Sequence, residues 1–139
     1  MKYSICFNSF FHFFLKHANT QFMFKPANKV FEERRKIFLD KLDGKAAIIP
    51  GSNLVKHHAD CEYPFRQDSN FWYLTGFDEP DAIALFLSHK PEGERFIMFV
   101  APKDVICEVW HGFRWGLEGA EKEFNADKAH SINELRDLL

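Results

Sequence analysis

Three short, unbroken apolar runs constrain this chain more than any other feature: Ala46-Ala-Ile-Ile-Pro50, Ile83-Ala-Leu-Phe-Leu87 and Phe96-Ile-Met-Phe-Val100. Each is short for a core helix and lacks the polar alternation of a half-exposed strand. The pattern predicts strands buried on both faces, so other elements must cover both sides of a sheet. Between the second and third runs, His89-Lys-Pro-Glu-Gly-Glu94 carries the Pro and Gly of a turn. These two strands are therefore expected to form an antiparallel hairpin.

The covering elements are legible around them. Pro26 to Gly44 reads as an amphipathic helix, with Val30, Phe31, Ile37, Phe38 and Leu42 at helical spacing and charges between. Asn28 suits the N-cap, Glu32 and Glu33 lie early, and Gly44 is the stop. The run Arg34-Arg35-Lys36 reads as the solvated face, with a binding patch as the alternative. Gly51-Ser52-Asn53 turns the chain after the first strand. Short helices are expected from Lys103 through Val109 and over Gly116 to Phe124. Ala129-His-Ser131 reads as a strand, and Ser131 followed by Glu134 as a capping box opening a last helix with Ile132, Leu135, Leu138 and Leu139. That helix reaches the final residue with its apolar face unfinished, which suggests truncation. Helices alternating with short buried strands define an α/β domain, a mixed β-sheet flanked by helices.

Composition narrows the function classes. A formal net charge of −2 supports neither a nucleic-acid nor an anionic-membrane partner, both of which require a basic excess. Cys6, Cys61 and Cys107 form no CxxC pair, and they read as reduced thiols of a cytoplasmic protein. Of the 17 Phe, seven precede residue 25, in a stretch with no acidic residue before Glu32. Ile5 to Leu15 imitates a secretory signal but is interrupted by Asn8, Ser9 and His12, with no small-residue cleavage site after it. Residues 1–25 are read as a leader outside the fold, with Met23 as an alternative natural start, and 26–139 as the domain.

Few constellations could carry chemistry. His57-His58-Ala-Asp60-Cys61-Glu62 contains metal-ligand types, yet adjacent residues of an extended segment point to opposite faces, which argues against a shared ion. No GxSxG elbow, phosphate loop or GxGxxG is present. A Cys/His dyad through Cys61 or Cys107 stays open, with nothing marking either thiol as activated. Asp78-Glu79 beside Pro80 reads as a turn. In Glu108-Val-Trp-His-Gly-Phe-Arg-Trp-Gly116, aromatics interleave with Arg and Gly. This could be a binding edge or a loop packed on its own sheet.

The densest stretch is Ala59-Asp-Cys-Glu-Tyr-Pro-Phe-Arg-Gln-Asp-Ser-Asn-Phe-Trp-Tyr-Leu-Thr-Gly-Phe-Asp-Glu-Pro80, where a polar loop runs into an aromatic anchor of Phe71, Trp72, Tyr73 and Phe77. With Arg34-Arg35 before it and Glu108-Val-Trp-His-Gly-Phe-Arg114 after it, in that order and spacing, it resembles the amino-terminal domain of Xaa-Pro aminopeptidases (aminopeptidase P). The resemblance runs from about residue 30 to the end. It implies the mixed-sheet fold shared with creatinase and prolidase amino-terminal domains, and a whole enzyme that removes the residue preceding proline. It also implies two manganese ions in a separate carboxy-terminal catalytic domain, whose ligand motifs match nothing here; no cofactor is expected on this chain. Its partners would be that catalytic domain and further copies of itself. By the same resemblance Trp110 reaches the active-site mouth of a neighbouring subunit, and Asp60 lies near that entrance. The expected role is therefore non-catalytic, with a free-standing binding module as the alternative. An isolated domain is expected to self-associate through an apolar patch at its last helix.

Overall fold

The second and third apolar runs pair as the turn between them requires. The computed structural model describes residues 28–59 and 61–138; the leader expected over 1–25 lies outside them. The chain runs α1 (Asn28–Leu42), β1 (Ala46–Pro50), β2 (Lys56–His58), β3 (Cys61–Glu62), α2 (Ser69–Thr75), β4 (Ile83–Leu87) and β5 (Phe96–Val100). It continues through α3 (Val105–His111), α4 (Gly116–Phe124), β6 (Lys128–Ser131), a 3-10 turn at Ile132–Glu134 and α5 (Leu135–Leu138). The main sheet has the order β1-β4-β5-β6. β4 is antiparallel to β1 and β5, while β6 lies parallel to β5, with Met98 beside Ala129. The sheet is mixed, as the sequence leads one to expect.

Burial on both faces holds for the inner strands only. β4 and β5 are largely buried, whereas β1 alternates between exposed and half-buried residues, and Ile48 is exposed. The reason is position: β1 is an edge strand, with Ala47 and Ile49 turned to the core. An edge is also where Pro50 is tolerated. Phe71, Phe77, Phe86, Phe96 and Phe124 supply much of the core, each burying area worth about 2–3 kcal/mol.

The first helix departs from its expected face. Asn28 is its first residue rather than its cap, and Val30 and Ile37 are exposed. The buried stripe instead runs through Phe31, Arg35, Phe38 and Leu42. Arg35 is therefore not on the solvated face: it is only 5% exposed. Its Nη1 donates to the Leu74 carbonyl at 3.1 Å and its guanidinium lies 4.4 Å from the Phe96 ring centre. Burial lowers its pKa to about 10, against the pull of Glu32 and Asp127, so it stays charged at neutral pH. Arg34 donates to the Tyr73 carbonyl and stacks on that ring, 4.1 Å away.

The aromatic anchor is a helix. Asp68 Oδ1 accepts from the Asn70 and Phe71 amides at 2.9 Å, and left-handed Gly76 ends the helix by donating to the Trp72 carbonyl. Phe71 and Phe77 are core as expected, while Tyr73 is half-exposed and Trp72 lies near the surface. At the other end of the chain, Ser131 caps the 3-10 turn through the Asn133 amide. Glu134 turns to His130 Nδ1 at 3.7 Å, so the expected reciprocal box is only half formed.

Candidate interaction site at the third helix

Helix α3 begins where Asp104 Oδ1 accepts the Ile106 amide at 2.8 Å, and it ends at left-handed Gly112, φ +88°. Asp104 is thus a side-chain cap of the kind that satisfies first-turn amides. The helix is short and its three aliphatic residues face outward: Val105, Ile106 and Val109 are 76, 74 and 75% exposed. Phe113, just after it, is half-exposed. Trp110 sits in the last turn of this helix; its side chain, like that of Cys107, lies outside the described residues.

The aromatic stretch around it divides in two. Trp115 packs inward, edge-on to Phe124 at 5.4 Å and to Phe113 at 5.0 Å. The turn from α3 into α4 is held by two carboxylates on successive amides. Glu108 Oε1 accepts from Arg114 at 3.1 Å, and Glu79 Oε1 accepts from Trp115 at 2.6 Å. Glu79 is 8% exposed, and its Oε2 has no hydrogen-bond partner among the described residues. Burial raises its pKa, as do Glu108 and Asp78, while the Trp115 amide and Arg114 oppose the shift. Asp78-Glu79 is therefore more than a surface turn. The sequence carried no signal for this beyond a carboxylate next to Pro80.

Asp60, the other expected entrance residue, lies outside the described residues, between β2 and β3. The hairpin there differs from the opposite-face expectation for His57 and His58. A register irregularity between Lys56 and His58 brings the two rings to 4.6 Å, with Tyr63 4.5 Å from His57. Even so, no group of three His, Cys, Asp or Glu among the described residues could hold a metal ion. Cys61 is exposed and its thiol is free. A groove of about 500 Å³ between α1, α2 and β1 is lined by Arg34, Ile37, Phe38, Lys41, Ile49 and Tyr73, among others. No helix among the described residues is long and apolar enough to cross a membrane.

The mixed sheet, the helices that flank it and the short outward helix define an α/β domain. Comparison with known proteins gives it a family. Residues 31–139 match the model of the aminopeptidase P N-terminal domain, and the chain belongs to that family. It is 42% identical over 119 residues to the Xaa-Pro aminopeptidase of Haemophilus influenzae, covering 85% of this chain and 27% of that protein. Among solved structures it resembles the Pseudomonas aeruginosa aminopeptidase PepP, with TM-score 0.77 and 30% identity over 82% of this chain and 26% of that one. It also resembles zinc-substituted Escherichia coli aminopeptidase P in complex with product, with TM-score 0.76 and 32% identity over 81% and 26% of the two chains. The chain thus spans about a quarter of the length of these relatives.

Proposed function

We propose that this chain serves as the non-catalytic amino-terminal domain of a manganese-dependent Xaa-Pro aminopeptidase, contributing to oligomer assembly and to the substrate entrance. The observation that supports this best is the outward apolar face of α3. Three aliphatic side chains about three-quarters exposed on one short helix are costly to leave in water. They suit burial against another protein surface, and Trp110 shares that helix. A Trp ring offers apolar area to a proline-containing peptide at low entropy cost. Asp60, between β2 and β3, is the second entrance candidate. The two manganese ions activate water in the catalytic part of such an enzyme, and none of their ligands is assigned to this chain. The setting is cytoplasmic, and the partners are the catalytic domain and further copies of the same enzyme.

The test is a chimera in which residues 28–139 replace the matching segment of the Haemophilus influenzae relative. Activity on an Xaa-Pro peptide with manganese is expected, and Trp110→Ala should lower kcat/KM by about tenfold or more. The 139-residue chain alone should show no turnover. A chimera that folds and assembles but is indifferent to Trp110→Ala would overturn the entrance role. One that folds but never engages the catalytic domain would favour a free-standing binding module instead.

A further inference from the structure

Among the described side chains of helix α3, the aliphatic ones, Val105, Ile106 and Val109, all point to solvent. The described contacts that bear on its orientation lie at its ends. The excursion that carries it leaves and rejoins the body at a narrow neck: a Cβ built on Gly116, whose φ is +64°, would lie 3.1 Å from Lys103 Cβ. At the exit, the bond from the Arg114 amide to Glu108 is internal to the excursion and moves with it. The bond from the Trp115 amide to Glu79 is different, because Glu79 belongs to the segment entering β4. The Glu79 backbone is itself fixed, its carbonyl accepting from Gln67 Nε2 at 2.8 Å.

We propose that Glu79 is a positioning residue, whose buried carboxylate, by accepting the Trp115 amide, sets the direction in which α3 presents Trp110. This rests on the reading of Trp110 as an entrance residue only for its functional meaning; the positioning itself is a property of this chain. A carboxylate is the stronger choice for the task, since an ionised acceptor makes shorter and stronger bonds to N–H than an amide oxygen. A glutamine could accept the same proton without placing charge in the interior. Protonation of Glu79 should loosen the exit in the same way as that substitution. The charged groups that act on it are Arg114, which favours the ionised form, and Glu108 and Asp78, which oppose it.

The experiment uses the full 139-residue chain and amide exchange by NMR, with the Trp110 indole assigned through Trp110→Phe. In Glu79→Gln, the Trp115 amide should exchange about tenfold faster and the Trp110 indole resonance should shift, while β4 and β5 amides keep their protection. Unchanged Trp115 exchange, or an unmoved Trp110 indole, would overturn the proposal. A second measurement needs no variant at Glu79. In the unmodified chain, the Trp115 amide and Trp110 indole should titrate together, with one midpoint above the ordinary carboxylate range, and the midpoint should persist in Asp78→Asn. A Trp110 signal silent through that titration overturns the proposal equally. Neither readout depends on peptidase activity, so a failed entrance role and a failed latch give different results.

Discussion

Gln67 spends its whole side-chain amide on the backbone. Its Oε1 accepts from the Ser52 and Asp68 amides at 2.7 and 3.0 Å, and its Nε2 reaches the Phe77 and Glu79 carbonyls at 3.3 and 2.8 Å. One buried group thus joins the turn after β1, the start of α2 and the approach to β4. Gly76 is the second fixed point of this region. An alanine there would carry φ +69°, and its Cβ would meet Phe31 Cε2 at 2.5 Å. Left-handed backbone costs an L-residue about 1–2 kcal/mol, and displacing a packed ring adds to it. Gly76→Ala should lower stability by about 3 kcal/mol in urea unfolding; a loss well under 1 kcal/mol would mean that the Phe31 ring moves freely aside. The Gly was visible in the sequence, but its contact with a ring many residues upstream was not. Arg35 was hidden for a related reason. A guanidinium looks solvated in a one-dimensional pattern; the Leu74 carbonyl and the Phe96 ring, with Glu32 and Asp127 nearby, make its burial tolerable.

Elements with one dominant signal were legible. Helix α4 occupies Gly116–Phe124, as its Glu- and Ala-rich composition leads one to expect, and the β4–β5 hairpin follows from its turn. Helix α2 was obscured because three consecutive aromatics override the helical period. Its Asp68 and Gly76 were the signals that could have revealed it. β1 read as doubly buried because an apolar run does not state whether a neighbour lies beyond it. The patch expected at the last helix includes Leu138 and Leu139, whose side chains lie outside the described residues, and Leu135 is half-buried; among the described residues an exposed apolar face lies on α3. A substitution on that face separates association from folding. Ile106→Asp together with Val109→Asp should change unfolding stability by no more than about 0.5 kcal/mol per site. The same pair should reduce self-association in light scattering; equal loss of stability and assembly would instead show that α3 packs on its own domain.

Over the whole molecule, buried acid gives an inverted pH response. Glu79 and Asp78 both have pKa values raised by burial, so in the folded state they bind protons at pH values where the unfolded chain has released them. Their unfavourable ionisation acts at neutral pH and disappears as pH falls below their ordinary values of 4.5 and 3.8. Glu118, paired with Lys122, has a lowered pKa and contributes the opposite slope at lower pH. Urea midpoints should therefore rise as pH drops from neutral toward the ordinary carboxylate range, and Glu79→Gln should flatten part of that rise. A midpoint that falls steadily over the same interval would contradict it. The family was legible in the sequence because one long motif carried it; this pH response was not, because desolvation depends on what surrounds a side chain.

The contact between Lys103 and Gly116 has a further consequence for how such domains diversify. Because the chain closes on itself there, the segment between behaves as a cassette. Its outward residues can be rewritten to suit a new surface while the sheet beneath keeps its register. Glu79 and the glycine at the neck are among the points that hold the cassette to its frame, so a change at either is expected to alter aim before it alters fold.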